Sequence, residues 1–385
     1  MRYDNTRLAD FSAESSKKRR GSFDGSFFIL VMLLLVFGVV MVLSSSFARA
    51  YYDPGNVTGG NAAYYFVRQL LFAVLGTAAM LAASKFPMGF YRRYAWHFMA
   101  LTVVLLMLVP LIGVKANGSR RWLGIGGLTL QPSELAKLGV ILCFSSLICR
   151  MRGKMATFKY GILPFAAILG VIVGLLILEP HFSASIIIIA VGGVMMFLGG
   201  VRLGWFVGVG SAAAVALGVL LMLFPYASGR INTWRDPFSS SSDEGYQIVQ
   251  SLYTIGSGGL SGLGLGMSRQ KYLYLPEEHN DFIFSVVCEE LGFIGAALIL
   301  ILFTLLILRG YWIALHCRDK FSFLVVAGIT TLLAIQVFLN VAVVTNLVPC
   351  TGISLPFFSY GGTALLIQLG EMGIILSASR DIIEK

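Results

Sequence analysis

Charge is what this sequence has least of. Only 12% of its 385 residues are Asp, Glu, Lys or Arg, against 57% hydrophobic ones, where a soluble domain carries about 25% charged residues. That shortage excludes a cytosolic globular enzyme and a disordered tail protein, neither of which stays solvated with so few charges. Cysteine is sparse too: five residues, none in CxxC or Cys/His spacing, so zinc and dithiol chemistry have no ligand set. Cys143, Cys149 and Cys288 fall in apolar segments as small core residues, and only Cys350 falls in an expected outer loop, which leaves no disulfide between outer loops. The glycine run from Gly256 to Gly266 is followed by neither a βαβ pattern nor Lys-Ser/Thr, so both nucleotide-binding fingerprints are excluded. Ser359 has no Ser-His-Asp pattern near it, and a hydrolase triad is not expected.

What is present is long, charge-poor apolar sequence. About 20 such residues cross the hydrocarbon of a bilayer. Ten stretches qualify: 27–46, 64–84, 94–114, 133–149, 160–178, 182–199, 203–224, 281–308, 321–347 and 362–379. The expected fold is an all-α polytopic membrane protein with ten transmembrane helices. The first stretch exceeds the ~7–15-residue apolar core of a signal peptide.

Orientation follows from Lys and Arg in alternate connections. Nineteen fall on the side of the N-terminal tail (1–26) and the short C-terminus (380–385), and eight on the other. Both termini are therefore expected in the cytoplasm. The formal charge of +10 reflects this loop bias and a basic tail suited to anionic membrane lipid, with no nucleic-acid partner. The membrane domain spans 27–379, and its longest connection, 225–280 between helices 7 and 8, faces outward. Within it, Tyr246 to Tyr253 suits a short interfacial helix, and the glycine run suits a flexible or re-entrant loop.

Ionisable residues inside spans are costly and so mark structure or function. Arg68 lies about one turn into the second span, Glu134 and Lys137 open the fourth, and Glu179 and His181 bracket the fifth-to-sixth connection. Asp281 opens the eighth, with Glu289 and Glu290 two turns deeper and in need of partners such as Arg68 or Lys137. These charges gather in the outer half. A transporter needs ionisable groups near the midplane, so the asymmetry favours an enzyme acting at the outer leaflet.

Each motif also has a plain structural reading. Leu130-Gln131-Pro132-Ser133-Glu134-Leu135-Ala136-Lys137 reads as a helix start with Ser133 as N-cap and a bracing Glu134–Lys137 pair; the same pair could align a site. Arg120 and Arg121 break the positive-inside pattern beside Trp122. They are either incidental or a clamp for an anionic headgroup. Pro276-Glu277-Glu278-His279-Asn280-Asp281-Phe282 places acids and a histidine where a polar loop enters the membrane. Helix capping by Asn280 or Asp281 is one reading, and a desolvated general base at Asp281 is the other.

Taken together, these segments resemble the SEDS family (shape, elongation, division and sporulation), with FtsW, RodA and SpoVE as members. The resemblance rests on Arg121-Trp122, Gln131-Pro132-Ser133-Glu134-Leu135-Ala136-Lys137, Tyr246-Gln247, the glycine run, His279-Asn280-Asp281-Phe282, Glu289-Glu290-Leu291-Gly292 and Ser359-Tyr360-Gly361-Gly362, in that order. It implies a peptidoglycan glycosyltransferase that uses lipid II and is paired with a class B penicillin-binding transpeptidase among divisome proteins. Asp281 matches the family's catalytic aspartate. Arg68, Arg120, Arg121, Trp122, Glu134, Lys137, His279, Ser359 and Tyr360 are the candidate substrate-binding residues. A divalent cation, Mg2+ or Mn2+, is the expected cofactor, with no organic one. One departure is Glu179-Pro180-His181, where the family often carries Glu-Pro-Asp, so the role of that acid does not carry over. Asn117-Gly118-Ser119-Arg120-Arg121-Trp122 and Gly352-Ile353-Ser354-Leu355-Pro356 look more like the division branch than the elongation branch.

Overall fold

The computed structural model describes residues 21–382 apart from 53–56, 117–118, 126–127, 152, 180, 209–210, 212–232 and 240–242. Among the described residues, nine helical segments are long and apolar enough to cross a membrane. They are α1 (Gly25–Tyr52), α2 (Tyr64–Ala83), α3 (Met88–Ile112), α4 (Pro132–Arg150), α5 (Leu163–Leu178, extended by the turn Phe158–Gly161) and α6 (Phe182–Gly199). After the shorter α7 (Asp243–Ser257) come α8 (Ile283–Leu315), α9 (Lys320–Val344) and α10 (Gly362–Ser379). Helices are expected because lipid offers no partner to backbone N–H and C=O groups, which must therefore pair within the segment. Nine of the ten expected spans are present; the expected span 203–224 lies mostly outside the described residues.

The core sits around α4 and α9, the most enclosed helices, while α2, α3 and α5 expose most of their apolar surface. Small residues let the helices meet closely. On α10 a Cβ at Gly373 would overlap the Met80 carbonyl of α2, and one at Gly76 would overlap Leu369. At one end of the bundle Asp24 pairs with Arg309 at 2.6 Å, and Gly21 N–H donates to Arg380 O at 3.1 Å.

Two features depart from the expectation. The connection between α3 and α4 is a three-stranded antiparallel sheet of order β1 (Val114–Ala116), β2 (Ser119–Ile125), β3 (Leu128–Leu130). The sequence between the paired strands reads Asn117-Gly118 and Gly126-Gly127, dipeptides that two-residue hairpins prefer. Secondly, the N-cap of α4 lies two residues before the expected Ser133. Gln131 is its N-cap and Pro132, whose φ is preset for a first helical position, follows; Ser133 makes no capping bond.

The glycine run is a docked element instead of a flexible one. Helix α8 breaks at Gly292 (φ 67°, ψ −173°), which frees carbonyls of the preceding turn. Leu263 and Gly264 N–H donate to Glu289 O and Glu290 O at 3.0 Å each, and Phe293 and Ile294 N–H donate back to Gly259 O and Leu260 O at 2.9 and 3.1 Å. The kink and the run thus satisfy each other's backbone, as burial in a membrane protein requires.

Candidate functional site

The N-terminal ends of α2, α4, α6 and α10, the sheet and the segment before α8 surround a cavity of about 750 Å3. Eight of the ten candidate site residues line it: Arg68, Arg121, Trp122, Glu134, Lys137, Asp281, Ser359 and Tyr360. Arg120 and His279 do not. The β1–β2 register shifts between Arg120 and Trp122, leaving Arg121 as an extra residue, and such a bulge re-aims side chains; Arg120 is exposed and donates to Pro110 O at 3.1 Å. His279 is 4% exposed and packs behind the wall.

Asp281 is held from three directions. Asn340 Nδ2 of α9 donates to its carbonyl at 2.9 Å and to Ile353 O at 2.6 Å. Ser359 Oγ donates to Asn280 O at 2.8 Å, and Tyr360 N–H donates to His279 O at 2.9 Å. Gly352 (φ +60°) lies so close that a Cβ there would come 3.1 Å from Asp281 Oδ2, and glycine leaves the carboxylate its room. Neither Asn280 nor Asp281 caps α8; the N-cap is Phe282, with no side-chain bond. Burial, then the charge of Glu277, pushes the Asp281 carboxyl up to about 6 against the pull of Arg121.

Arg121 faces Glu179 and His181 as well. Burial pushes Glu179 up to about 8 despite Arg121. Burial, with Arg121 and Lys137 nearby, pushes His181 down to about 3. Both are therefore neutral near pH 7. Arg68 stands over the Tyr64 ring at 4.8 Å, and both Arg68 and Tyr360 line the cavity. Lys137 Nζ lies 2.6 Å from Glu134 Oε2, so the expected pair is formed and faces the cavity.

The partners expected for Glu289 and Glu290 are corrected. Lys271 Nζ sits 2.9 Å from Glu290 Oε1, and Ser44 Oγ donates to both Glu290 oxygens at 2.6 and 2.7 Å. Glu289 receives Ser257, Ser268 and the Arg269 N–H. Arg68 and Lys137 remain at the cavity. Loop residues far off in sequence reach these acids because the glycine run folds over the kink.

Sequence reading missed Glu371, Gln336 and Gln368, which line the floor. Ala364, Gln368 and Glu371 fall on one stripe of α10, and Glu371 lies nine residues past Gly362, about 14 Å at 1.5 Å per residue. The polar cavity thus reaches roughly mid-depth of a ~30 Å hydrocarbon layer, and the expected confinement of charge to the outer half has this exception. A lone carboxylate in an apolar span was the available signal.

Fold and site define a multi-pass membrane protein whose helical bundle opens at one end into a polar cavity lined by four acids, a lysine and two guanidinium groups. A family model described as cell cycle protein, of FtsW, RodA and SpoVE, matches residues 24–383; the chain belongs to this SEDS family. It is 39% identical over 319 residues to "Stage V sporulation protein E" of Bacillus subtilis (strain 168), covering 82% of this chain and 87% of that one. It is 38% identical over 343 residues to "Probable peptidoglycan glycosyltransferase FtsW" of Trichlorobacter lovleyi, covering 89% of each. Among solved structures, a chain from "Structural coordination of polymerization and crosslinking by a peptidoglycan synthase complex" superposes with TM-score 0.78 at 28% identity, over 93% of this chain and 98% of that one. The Thermus thermophilus rod shape determining protein RodA superposes at 0.67 with 27% identity, over 94% and 98%.

Proposed function

We propose that this protein is a peptidoglycan glycosyltransferase that polymerises lipid II into glycan strands at the outer face of the cytoplasmic membrane, for septal wall synthesis in cell division. The observation that carries the reading is that Asp281, Arg68 and Arg121 line one cavity at one end of the bundle. The excess of Lys and Arg on the opposite connections supports an outward-facing cavity and cytoplasmic termini.

Asp281 takes the proton from the acceptor sugar's 4-hydroxyl as that oxygen attacks the anomeric carbon of the lipid-linked donor. The bond to the diphosphate breaks, its electron pair leaves with the diphosphate, and the centre inverts. A carboxyl near 6 is ionised at pH 7 and still basic enough to accept a proton. Arg68 and Arg121 stabilise the charge that develops on the departing diphosphate, a role that preset donors fill best.

Among the described residues no three His, Cys, Asp or Glu side chains gather for a metal, and the Glu277 carboxylate beside Asp281 is engaged by Asn280 Nδ2. This donor set does not make a resident cation site. The Mg2+ or Mn2+ we propose is one carried in by the diphosphate, since hydrated Mg2+ binds through substrate phosphates with few protein ligands. The partner we propose is a class B penicillin-binding transpeptidase, working with other divisome proteins; the synthase complex among the structural relatives supports it.

Purified Asp281→Asn should make no polymer from lipid II while melting like the wild type. Undiminished polymer would sink the assignment, and a scaffold without chemistry would tolerate the change. Glu371 at mid-depth favours a second reading, a lipid transporter. Translocation of labelled lipid II by the Asp281→Asn protein in liposomes, without polymerisation by the wild type, would establish that reading instead.

A further inference from the structure

His279 is drawn out of the cavity by the fold, and its surroundings assign it other work. Its ring lies 4.7 Å from that of Tyr65 and 5.8 Å from that of Tyr360, and Tyr65 meets Tyr360 edge-on at 4.9 Å and 85°. Three rings from α2, the segment before α8 and the segment before α10 therefore close on one another. Tilted and edge-to-face arrangements at these separations are the favourable ones for aromatic pairs. The cluster ends at the cavity, which Tyr360 and Arg68 both line; the Arg68 guanidinium stands 4.8 Å over Tyr64, whose ring meets that of Tyr65 edge-on at 5.3 Å and 88°.

We propose that His279 is a positioning residue that acts through Tyr65 and Tyr360 to aim the Arg68 guanidinium at the diphosphate of a polyprenyl-diphosphate substrate. Arginine is long and rotamer-rich, and an ion held in advance stabilises developing charge better than one that must be ordered during the step. The ring of Tyr64, itself packed on Tyr65, restricts the guanidinium from one face. Tyr360 is in turn tied to His279 by backbone as well as ring, through the 2.9 Å bond from its N–H to His279 O. His279 stands two residues before Asp281, and Ser359 and Tyr360 both bond this short segment. Base and cation are thus kept in register by one piece of chain. A direct ligand role for His279 is disfavoured by its burial and by its absence from the cavity lining.

The inference rests on the proposed diphosphate chemistry, and a double-mutant cycle tests it separately. Farnesyl diphosphate affinity and lipid II polymerisation would be measured on the full chain in detergent. The proteins are wild type, His279→Ala, His279→Phe, Tyr360→Phe, Arg68→Ala and the His279→Ala/Arg68→Ala pair. His279→Ala and Arg68→Ala should each weaken farnesyl diphosphate binding about tenfold, while the pair is no weaker than Arg68→Ala alone, the non-additivity expected of residues acting as one unit. Tyr360→Phe, which keeps the ring and removes a single oxygen from the cavity wall, should weaken binding about fivefold, the size of one ordinary polar contact. His279→Phe keeps a ring and should stay within about threefold of wild type, which general destabilisation would not produce. Additive losses, wild-type affinity in His279→Ala, or no binding to the wild type would overturn the inference. If the cycle couples but wild type makes no polymer, the inference stands and the polymerase reading falls.

Discussion

Lys271, in the loop that leads to Asp281, buries its ammonium 2.9 Å from Glu290 Oε1 on α8, and Ser44 of α1 bonds the same carboxylate. The loop, the kinked helix and the first span are joined at this point. Replacing Lys271 with Met should cost about 3 kcal/mol, the low end for breaking a buried pair, because Ser44 and the N–H groups of Gly266 and Ser268 still serve Glu290. Thermal unfolding in detergent reads the loss, and adding Glu290→Leu should recover much of it. An unchanged midpoint in the single variant would show that the pair carries no stability.

The pH dependence of polymerisation should report Asp281. Burial and Glu277 raise its carboxyl to about 6, and the base must be ionised to work. Activity should therefore rise with pH through about 6 and level off above it, falling nearly tenfold per unit well below. Glu277→Gln removes the second-largest cause of the rise and should move the inflection downward. By linkage a raised carboxyl disfavours the fold once ionised, so at pH 8 Asp281→Asn should melt no lower than wild type. An inflection that Glu277→Gln leaves in place would point to another group.

Arg120 and Arg121 are neighbours in sequence with opposite expected behaviour. Arg121 lines the cavity, and Arg121→Ala should lower kcat by about 100-fold or more, as loss of a preset donor to developing charge does. Arg120 is exposed and bonds only a backbone carbonyl among the described residues, so Arg120→Ala should stay within about twofold, as surface changes usually do. Steady-state kinetics on lipid II separates the two, and equal losses would place both at the substrate.

Gly292 should tolerate no side chain. Its φ is 67°, and a Cβ would overlap the backbone nitrogen of Gly262 in the docked run. Gly292→Ala should lose at least about 1–3 kcal/mol from the backbone conformation alone, with further loss as the run is displaced. Limited proteolysis should then cut between Gly256 and Gly266 faster than in wild type. Unchanged resistance would mean that the run does not depend on the kink.

Much of the site was readable because membrane burial makes each charge informative. Arg68, Glu134, Lys137 and Asp281 stand out in apolar surroundings, and all four line the cavity. Arg120 and His279 could not be sorted from Arg121 and Asp281 by type or depth, since the register shift in the sheet and the aromatic cluster decide their places. The sheet was missed although Asn117-Gly118 lies in plain view, because short strands carry little periodicity. Glu371 carries only the signal of a single acid in the last span.

Hydropathy and charge are local properties, read along one chain, so the sequence by itself determined the nine spanning helices seen among the described residues, the family motifs and the residues able to carry charge chemistry. Partnership is not local. Lys271 rather than Arg68 or Lys137 meets Glu290 because the glycine run docks on the kink at Gly292, and Tyr360 rather than substrate meets His279 because the segment before α10 bonds the segment before α8. A buried charge takes whichever counter-charge the packing delivers, and only the tertiary structure decided which that was.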